Sequence, residues 1–329
     1  MDLRSEGLAG HPSGMLWALR FAGGAAEALT DPAGDDCHED GGWTWTHFPL
    51  GDVRAQRFLA GLNIPAPARA LIATDEDKVQ IHAEGPWLYG VLPDFERDLG
   101  GKALEPARLF FACDGTRLIT ARWRAICAID VVRHEAERSG LVLAPVAAVT
   151  GQVLHYLDLM EDKIEDLAET LDRIEDSVLG ERAELDGRAL GPLRRQLATY
   201  RRELAGLRGA LHRTLSPRAG RRGELSVELA DLPAPIDDVD REAASVQDRA
   251  RLLHEEIDTL INSATNRSMR ALTILSTLLI PPTLIVGAFG MNVGGIPWAS
   301  EKGGFIEAGL LCLAVVVLAY WLLRRMRLL

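Results

Sequence analysis

No Asp, Glu, Lys or Arg occurs between Ala271 and Ser300, and a second uncharged apolar run extends from Ala308 to Leu323. With their flanks, Ala271–Phe289 and Phe305–Leu323 each approach the ~20 residues that a helix needs to cross a hydrocarbon core. One such run also fits the buried helix of a soluble protein. Two in tandem, joined by the glycine-rich turn GMNVGGIPW and closed by basic residues, predict a membrane hairpin. Arg267 and Arg270 precede the first run, Arg324, Arg325 and Arg327 follow the second, and the connecting loop holds only Lys302. Basic flanks stay on the cytoplasmic side. The first 270 residues and the basic tail 324–329 are therefore expected in the cytoplasm, and the loop 290–304 outside.

The rest of the composition narrows the class. A formal net charge of -11 argues against nucleic-acid binding. Cys37, Cys113, Cys127 and Cys312 are scattered without a CxxC pair, as in a reducing cytosol. The opening MDLRSEGLAG has an acid and no apolar core, so no signal peptide is expected.

Residues 1–150 mix strand-like runs with two helical patterns. The strand-like runs are 15–21, 43–50, 78–83, 87–92, 107–113 and 117–123, and the helical patterns are Arg54–Leu62 and Ala125–Ser139. A cytoplasmic α/β domain is predicted, with no phosphate loop and no nucleophile elbow; no motif supports an enzyme, and no cofactor is expected. Composition then shifts to helix formers. Leu157, Met160, Ile164, Leu167, Leu171, Ile174 and Val178 form a heptad seam flanked by acids such as Glu161, Glu165 and Glu169. Leu190, Leu193, Leu197, Tyr200, Leu204, Leu207 and Leu211 form a second seam flanked by Arg194, Arg201 and Arg208. With a turn at Gly180–Gly191, the acidic and basic helices are expected to pair antiparallel as a cytoplasmic hairpin over 151–235. A stalk helix over 236–270 then runs without a breaker into the first span at 271–289. A continuous helix there is roughly 80 Å long and needs neighbours, which oligomerisation supplies.

Projected at about 100° per residue, Asn262, Asn266, Met269, Thr273, Ser276, Ile280, Thr283 and Gly287 fall within an arc of roughly 100°. Ala271, Leu275, Leu278, Ile285 and Phe289 lie opposite. The small, hydroxyl- and amide-bearing face fits two readings. It is a close helix–helix contact, or it lines a water-filled path whose uncharged oxygens serve a cation. Met269 and Ile280 are candidate hydrophobic constrictions on that face, and Pro281 and Pro282 predict a kink or a local change of pitch.

An α/β domain, a helical hairpin, a stalk helix, Gly290-Met291-Asn292 at the end of the first span and a second span with a basic tail together resemble the CorA family of divalent-metal transporters. The resemblance covers the whole chain in architecture and is sharpest over 262–329. It implies a funnel-shaped homopentamer in a bacterial inner membrane, with both termini cytoplasmic and the lipid bilayer and the metal ion as further partners. It also implies that five first spans line one pore. Carried over, Asn292 is the main ligand of a hydrated cation at the outer mouth, and Gly290 and Met291 shape that mouth. Asn266, Thr283 and Gly287 line the path, and Met269, Leu272 and Ile280 narrow it.

The triplet is followed by Val-Gly-Gly-Ile-Pro and Trp298, with the nearest acid at Glu301. This resembles the zinc-transporting ZntB branch, which implies zinc as the substrate and coupling to protons. Magnesium, cobalt and nickel remain as alternatives within the family. Coordination chemistry alone does not choose, because dry zinc sites favour Cys and His and the predicted face has neither. A different class, a membrane-anchored sensor or scaffold that moves no ion, is the competing reading. Asp35-Asp36-Cys37-His38-Glu39-Asp40 is either a metal-collecting loop or a solvated acidic one.

Overall fold

The computed structural model describes residues 12–23, 25–29, 42–74, 77–97, 105–139, 144–179, 183–216, 229–291 and 304–326. They fall into two compact units, one of residues 1–174 and 189–251, the other of 175–188 and 252–329.

The first unit is built on a seven-stranded sheet in the order β2-β1-β3-β7-β6-β5-β4. The strands are β1 Trp17–Ala22, β2 Ala25–Ala28, β3 Trp43–Pro49, β4 Gln80–Glu84, β5 Trp87–Phe95, β6 Pro106–Cys113 and β7 Arg117–Arg122. Every pair is antiparallel except β3 with β7, whose register sets His47 beside Thr120. Two helices, α1 Val53–Gly61 and α2 Ala66–Ala73, connect β3 to β4. Asp52 caps α1 by accepting from the Arg54 amide at 2.8 Å, which satisfies one of the donors a helix start leaves open.

Alternation along the strands makes two faces. Ala18, Phe48, Tyr89, Phe110, Ala112, Ile119 and Ala121 bury themselves against Ala55 and Leu59 of α1 and Ala68 and Ile72 of α2. Trp17, Trp45, His47, Phe111 and Thr120 belong to the other face and are also buried. There the helix α3 Ala128–Ser139 places the Arg133 guanidinium 4.9 Å over the Trp17 ring. At Gly90, Cβ of any other residue would stand 2.0 Å from the Gln80 carbonyl oxygen, so β4 and β5 approach each other over a bare backbone.

Three long helices follow: α4 Pro145–Leu179, α5 Ala183–Leu215 and α6 Pro233–Phe289. Seam residues Leu157, Met160, Ile164 and Leu171 of α4 and Leu197, Leu204 and Leu211 of α5 are buried. Two details depart from the pattern of the sequence. First, α5 begins at Ala183 and carries Pro192 inside it, so the turn is shorter than Gly180–Gly191. Pro192 lies in the early part of a long helix, where the turns that follow it carry the buried seam and hold the element together. Second, the α5 arginines look to α6 rather than to the acidic helix. Arg201 pairs with Asp240 at 3.1 Å, and Arg208 with Asp237 at 3.2 Å. The α4 acids Glu161 and Glu165 also face α6, where burial first and their charge second raise the Glu242 carboxyl. Complementary charge sets a preference, and the third helix, invisible to a two-helix argument, takes it up.

Helix-to-sheet contacts are polar as well as apolar. Thr214 of α5 donates to the Ile81 carbonyl at 2.7 Å. Arg108 of β6 and Glu203 of α5 form an ion pair at 3.0 Å in which both side chains are nearly buried. In the second unit, α6 continues to Phe289, and α7 Gly304–Arg325 packs beside it, with the Cys312 thiol 4.0 Å from the Pro282 carbonyl oxygen. Both helices are long and apolar enough to cross a membrane. The most apolar window of α6 is 0% buried and that of α7 6%. A soluble core helix hides such a surface, so lipid is the natural solvent for this one.

Candidate functional site

In the second unit the two sides of α6 have different fates. Ile274, Thr277, Leu278, Pro281, Pro282, Ile285, Ala288 and Phe289 are half-buried. Asn262, Asn266, Met269, Leu272, Thr273, Ile280, Thr283 and Gly287 are exposed. At about 100° per residue the centres of the two sets stand roughly 140° apart. Ser276 is half-buried, although it lies within about 25° of the centre of the exposed set. From Asp258 to Thr273 every residue is exposed, and beyond Ile274 the residues Leu275, Leu279, Ile280, Thr283, Leu284, Val286 and Gly287 stay exposed. Hydroxyls and amides thus stand uncovered among large apolar groups from Asn262 to Gly287, about seven turns.

The chemistry of that face follows from where its protons go. Thr273 donates its hydroxyl to the Met269 carbonyl at 2.8 Å, and Thr283 to the Leu279 carbonyl at 2.7 Å. Thr277, which the sequence reading passed over, donates to Thr273 in the same way at 2.8 Å. A threonine that gives its only proton back to the preceding turn keeps oxygen lone pairs for whatever lies outside. The exposed Thr273 and Thr283 oxygens are therefore acceptors, which suits a cation or the hydrogens of its water shell. Leu279, Ile280, Thr283, Leu284, Gly287, Ala288 and Met291 line an open groove of about 610 Å³ on this face. Gly287 has nothing within 4 Å of a notional Cβ.

Pro281 and Pro282 have no N–H, so the Thr277 and Leu278 carbonyls lose their usual helical donors. The helix stays continuous through this turn. It closes where the Gly290 amide reaches the Val286 carbonyl at 2.9 Å and the Met291 amide reaches Ala288 at 3.3 Å. Met291 is exposed. Asn292, the rest of the loop to residue 303, and the acidic loop Asp35–Asp40 lie outside the described residues. Among the described residues no three His, Cys, Asp or Glu side chains converge on a metal position.

A second polar centre, in the first unit, escaped the sequence reading. Asp94 is fully buried. Its Oδ1 accepts from the amides of Phe95 at 2.6 Å and Ala128 at 3.1 Å, and its Oδ2 from Gln152 Nε2 at 2.8 Å. It ties β5 to the start of α3 and to α4. Burial pushes its carboxyl up to about 6 against the pull of these donors. Nearby on the sheet, His47 accepts from or donates to Thr120 at 2.9 Å. Burial, with the Arg122 and Arg133 charges, lowers its pKa and keeps the ring neutral.

A mixed-sheet unit followed by a long apolar-ended helix with exposed acceptor oxygens and a returning apolar helix define a two-span membrane protein with a large N-terminal domain. The family profile described as CorA-like Mg2+ transporter protein matches residues 40–325, and the chain belongs to the CorA family. It is 29% identical over 300 residues to the divalent cation transporter CmaX of Pseudomonas aeruginosa, covering 86% of each protein. It is 29% identical over 223 residues to the zinc transport protein ZntB of Yersinia pseudotuberculosis, covering 63% of this chain and 64% of that one. Among solved structures, full-length CmaX superposes with a TM-score of 0.82 at 24% identity, covering 97% of this chain and 100% of that one. The CorA magnesium transporter of Methanocaldococcus jannaschii gives 0.67 at 16%, covering 94% and 97%.

Proposed function

We propose that this chain carries divalent cations across the bacterial inner membrane as a homopentamer, with one copy of α6 from each subunit lining the path. The observation that carries the reading is the uncovered face of α6, on which Thr273 and Thr283 offer lone pairs and no protons. A contact with lipid wastes those oxygens, whereas a water-filled axis uses them. Gly290, Met291 and Asn292 form the outer mouth, with the Asn292 amide oxygen accepting from the ion's water. Asn262, Asn266, Ser276 and Gly287 belong to the wall, and Met269, Leu272 and Ile280 are the narrow points. The arginine flanks place both termini in the cytoplasm.

Zinc is the proposed substrate. The VGGIP segment after the triplet and the likeness to a zinc transport protein support it. The family description, which names magnesium, keeps magnesium as the competitor. Uptake of zinc and magnesium into proteoliposomes, with and without a pH gradient, tests the reading. Asn292→Ala lowers flux, and Thr283→Lys, a charge on the acceptor face, abolishes it. A membrane-anchored scaffold predicts no flux from the wild type at all, and unchanged flux in Asn292→Ala sinks the assignment of the mouth.

A further inference from the structure

The row that holds Asn262 and Asn266 continues toward the start of α6 in steps of four, through Asp258 to His254. Each step advances about 40° around a helix of 3.6 residues per turn, so the four side chains share one slowly winding side. His254 is the sole imidazole of the helix. Its Nε2 lies 3.7 Å from Asp258 Oδ2, and the two side chains are 43% and 59% exposed. That separation is too long for a hydrogen bond. It is close to the ~3.4 Å that separates two ligands each ~2.1 Å from a tetrahedral zinc ion. Among the described residues the ring is not tied down elsewhere, for Nδ1 is buried with no hydrogen-bond partner there. A histidine whose two nitrogens have no strong partner among the described residues, opposite a solvent-facing carboxylate at i+4, is poised to close on a cation.

We propose that His254 and Asp258 form a two-ligand site for a transition-metal dication of the zinc, cobalt and nickel class. Water, or the same pair from other copies, completes the coordination. The site rests on the reading of α6 as the wall of the path, and it adds a selectivity element at the cytoplasmic reach. Oxygen ligands alone serve magnesium and zinc alike, but imidazole favours the later first-row metals and leaves magnesium hydrated. The nitrogen ligand that the membrane face lacks thus stands two steps of the same row below Asn262.

The test uses the full-length protein in detergent micelles. Zinc and magnesium binding are measured by calorimetry, and Co2+ is added as a visible-absorption probe of nitrogen ligation. Removing a direct ligand costs at least the roughly tenfold in affinity that loss of an outer-shell partner costs. His254→Ala and the isosteric Asp258→Asn are therefore expected to weaken zinc binding about tenfold or more, to leave magnesium binding unchanged, and to abolish the Co2+ bands. The zinc-to-magnesium flux ratio in proteoliposomes falls with them. Unaltered gel filtration and thermal unfolding certify each variant, and Asp258→Asn carries the test if His254→Ala does not fold. Wild-type zinc affinity in both folded variants overturns the site. Failure of the pore reading has another signature: unchanged flux in Asn292→Ala, with Co2+ still bound at His254.

Discussion

Replacing Asp94 with Asn should stabilise this protein at neutral pH, against the usual outcome for a buried, hydrogen-bonded side chain. The carboxyl is raised from 3.8 to about 6, chiefly by desolvation. Below pH ~4 it is neutral in both the folded and the unfolded chain. Between ~4 and ~6 the folded state holds a proton that the unfolded state has lost, so stability falls as pH rises through this window. A shift of about two units is worth about 3 kcal/mol, all of it lost by pH 7. Asparagine removes the charge and keeps Oδ1 for the amides of Phe95 and Ala128. Its new NH2 group faces Gln152, whose Oε1 is buried without a partner among the described residues. A half-turn of that amide brings the oxygen round to accept. Thermal unfolding of the full-length protein in detergent, followed by tryptophan fluorescence from pH 4.5 to 8, reads the effect. Asp94→Asn should melt higher than wild type at pH 7, by on the order of 5 °C, and the gap should close toward pH 4. If the variant is less stable by the same amount at every pH, the carboxylate is well satisfied in its ionised form and the reasoning fails.

Two further substitutions test the packing. Gly90→Ala pushes a methyl against the Gln80 carbonyl at 2.0 Å and should cost about 3 kcal/mol, seen as a drop in the unfolding midpoint. Arg108→Ala strands Glu203 in a nearly buried position and should cost about 3–5 kcal/mol, whereas the double change Arg108→Met with Glu203→Leu should recover most of it.

Much of the fold could be read from the chain before its structure. The runs around β1, β3, β4, β5, β6 and β7 are rich in aromatic and branched residues, and glycine, proline and aspartate mark their ends. β2 escaped because Ala-Ala-Glu-Ala has no strand former, and its place comes from pairing with β1. α2 escaped because eight mostly small residues with Pro67 in the first turn carry too little periodicity. The parallel pairing of β3 with β7 joins residues about seventy positions apart, and nothing local encodes that. The candidate site divides the same way. Periodicity groups the polar side chains of α6, since a helix turns at a fixed rate, but Leu272 came from the family resemblance, and Ala271 and Leu275, projected to the opposite side, are exposed as well. Ser276 sits within the projected arc yet is half-buried. Asp94 follows Pro93 and reads as a turn residue, so its role as the tie between β5, α3 and α4 had no local signal. His254 and Asp258, four positions apart, become neighbours once the helix is formed.

The hydroxyls of Thr273 and Thr283 bear on how protons and ions could travel together. A relay along side chains passes a proton from group to group, so each member must be able to give one as well as take one. These two have committed theirs to the Met269 and Leu279 carbonyls, and no titratable group stands between Arg270 and the end of α6. On this helix a proton has no wire of its own through the membrane. On the path proposed above, any coupling of metal movement to a pH gradient runs through water, and whatever squeezes that water column throttles both fluxes at once.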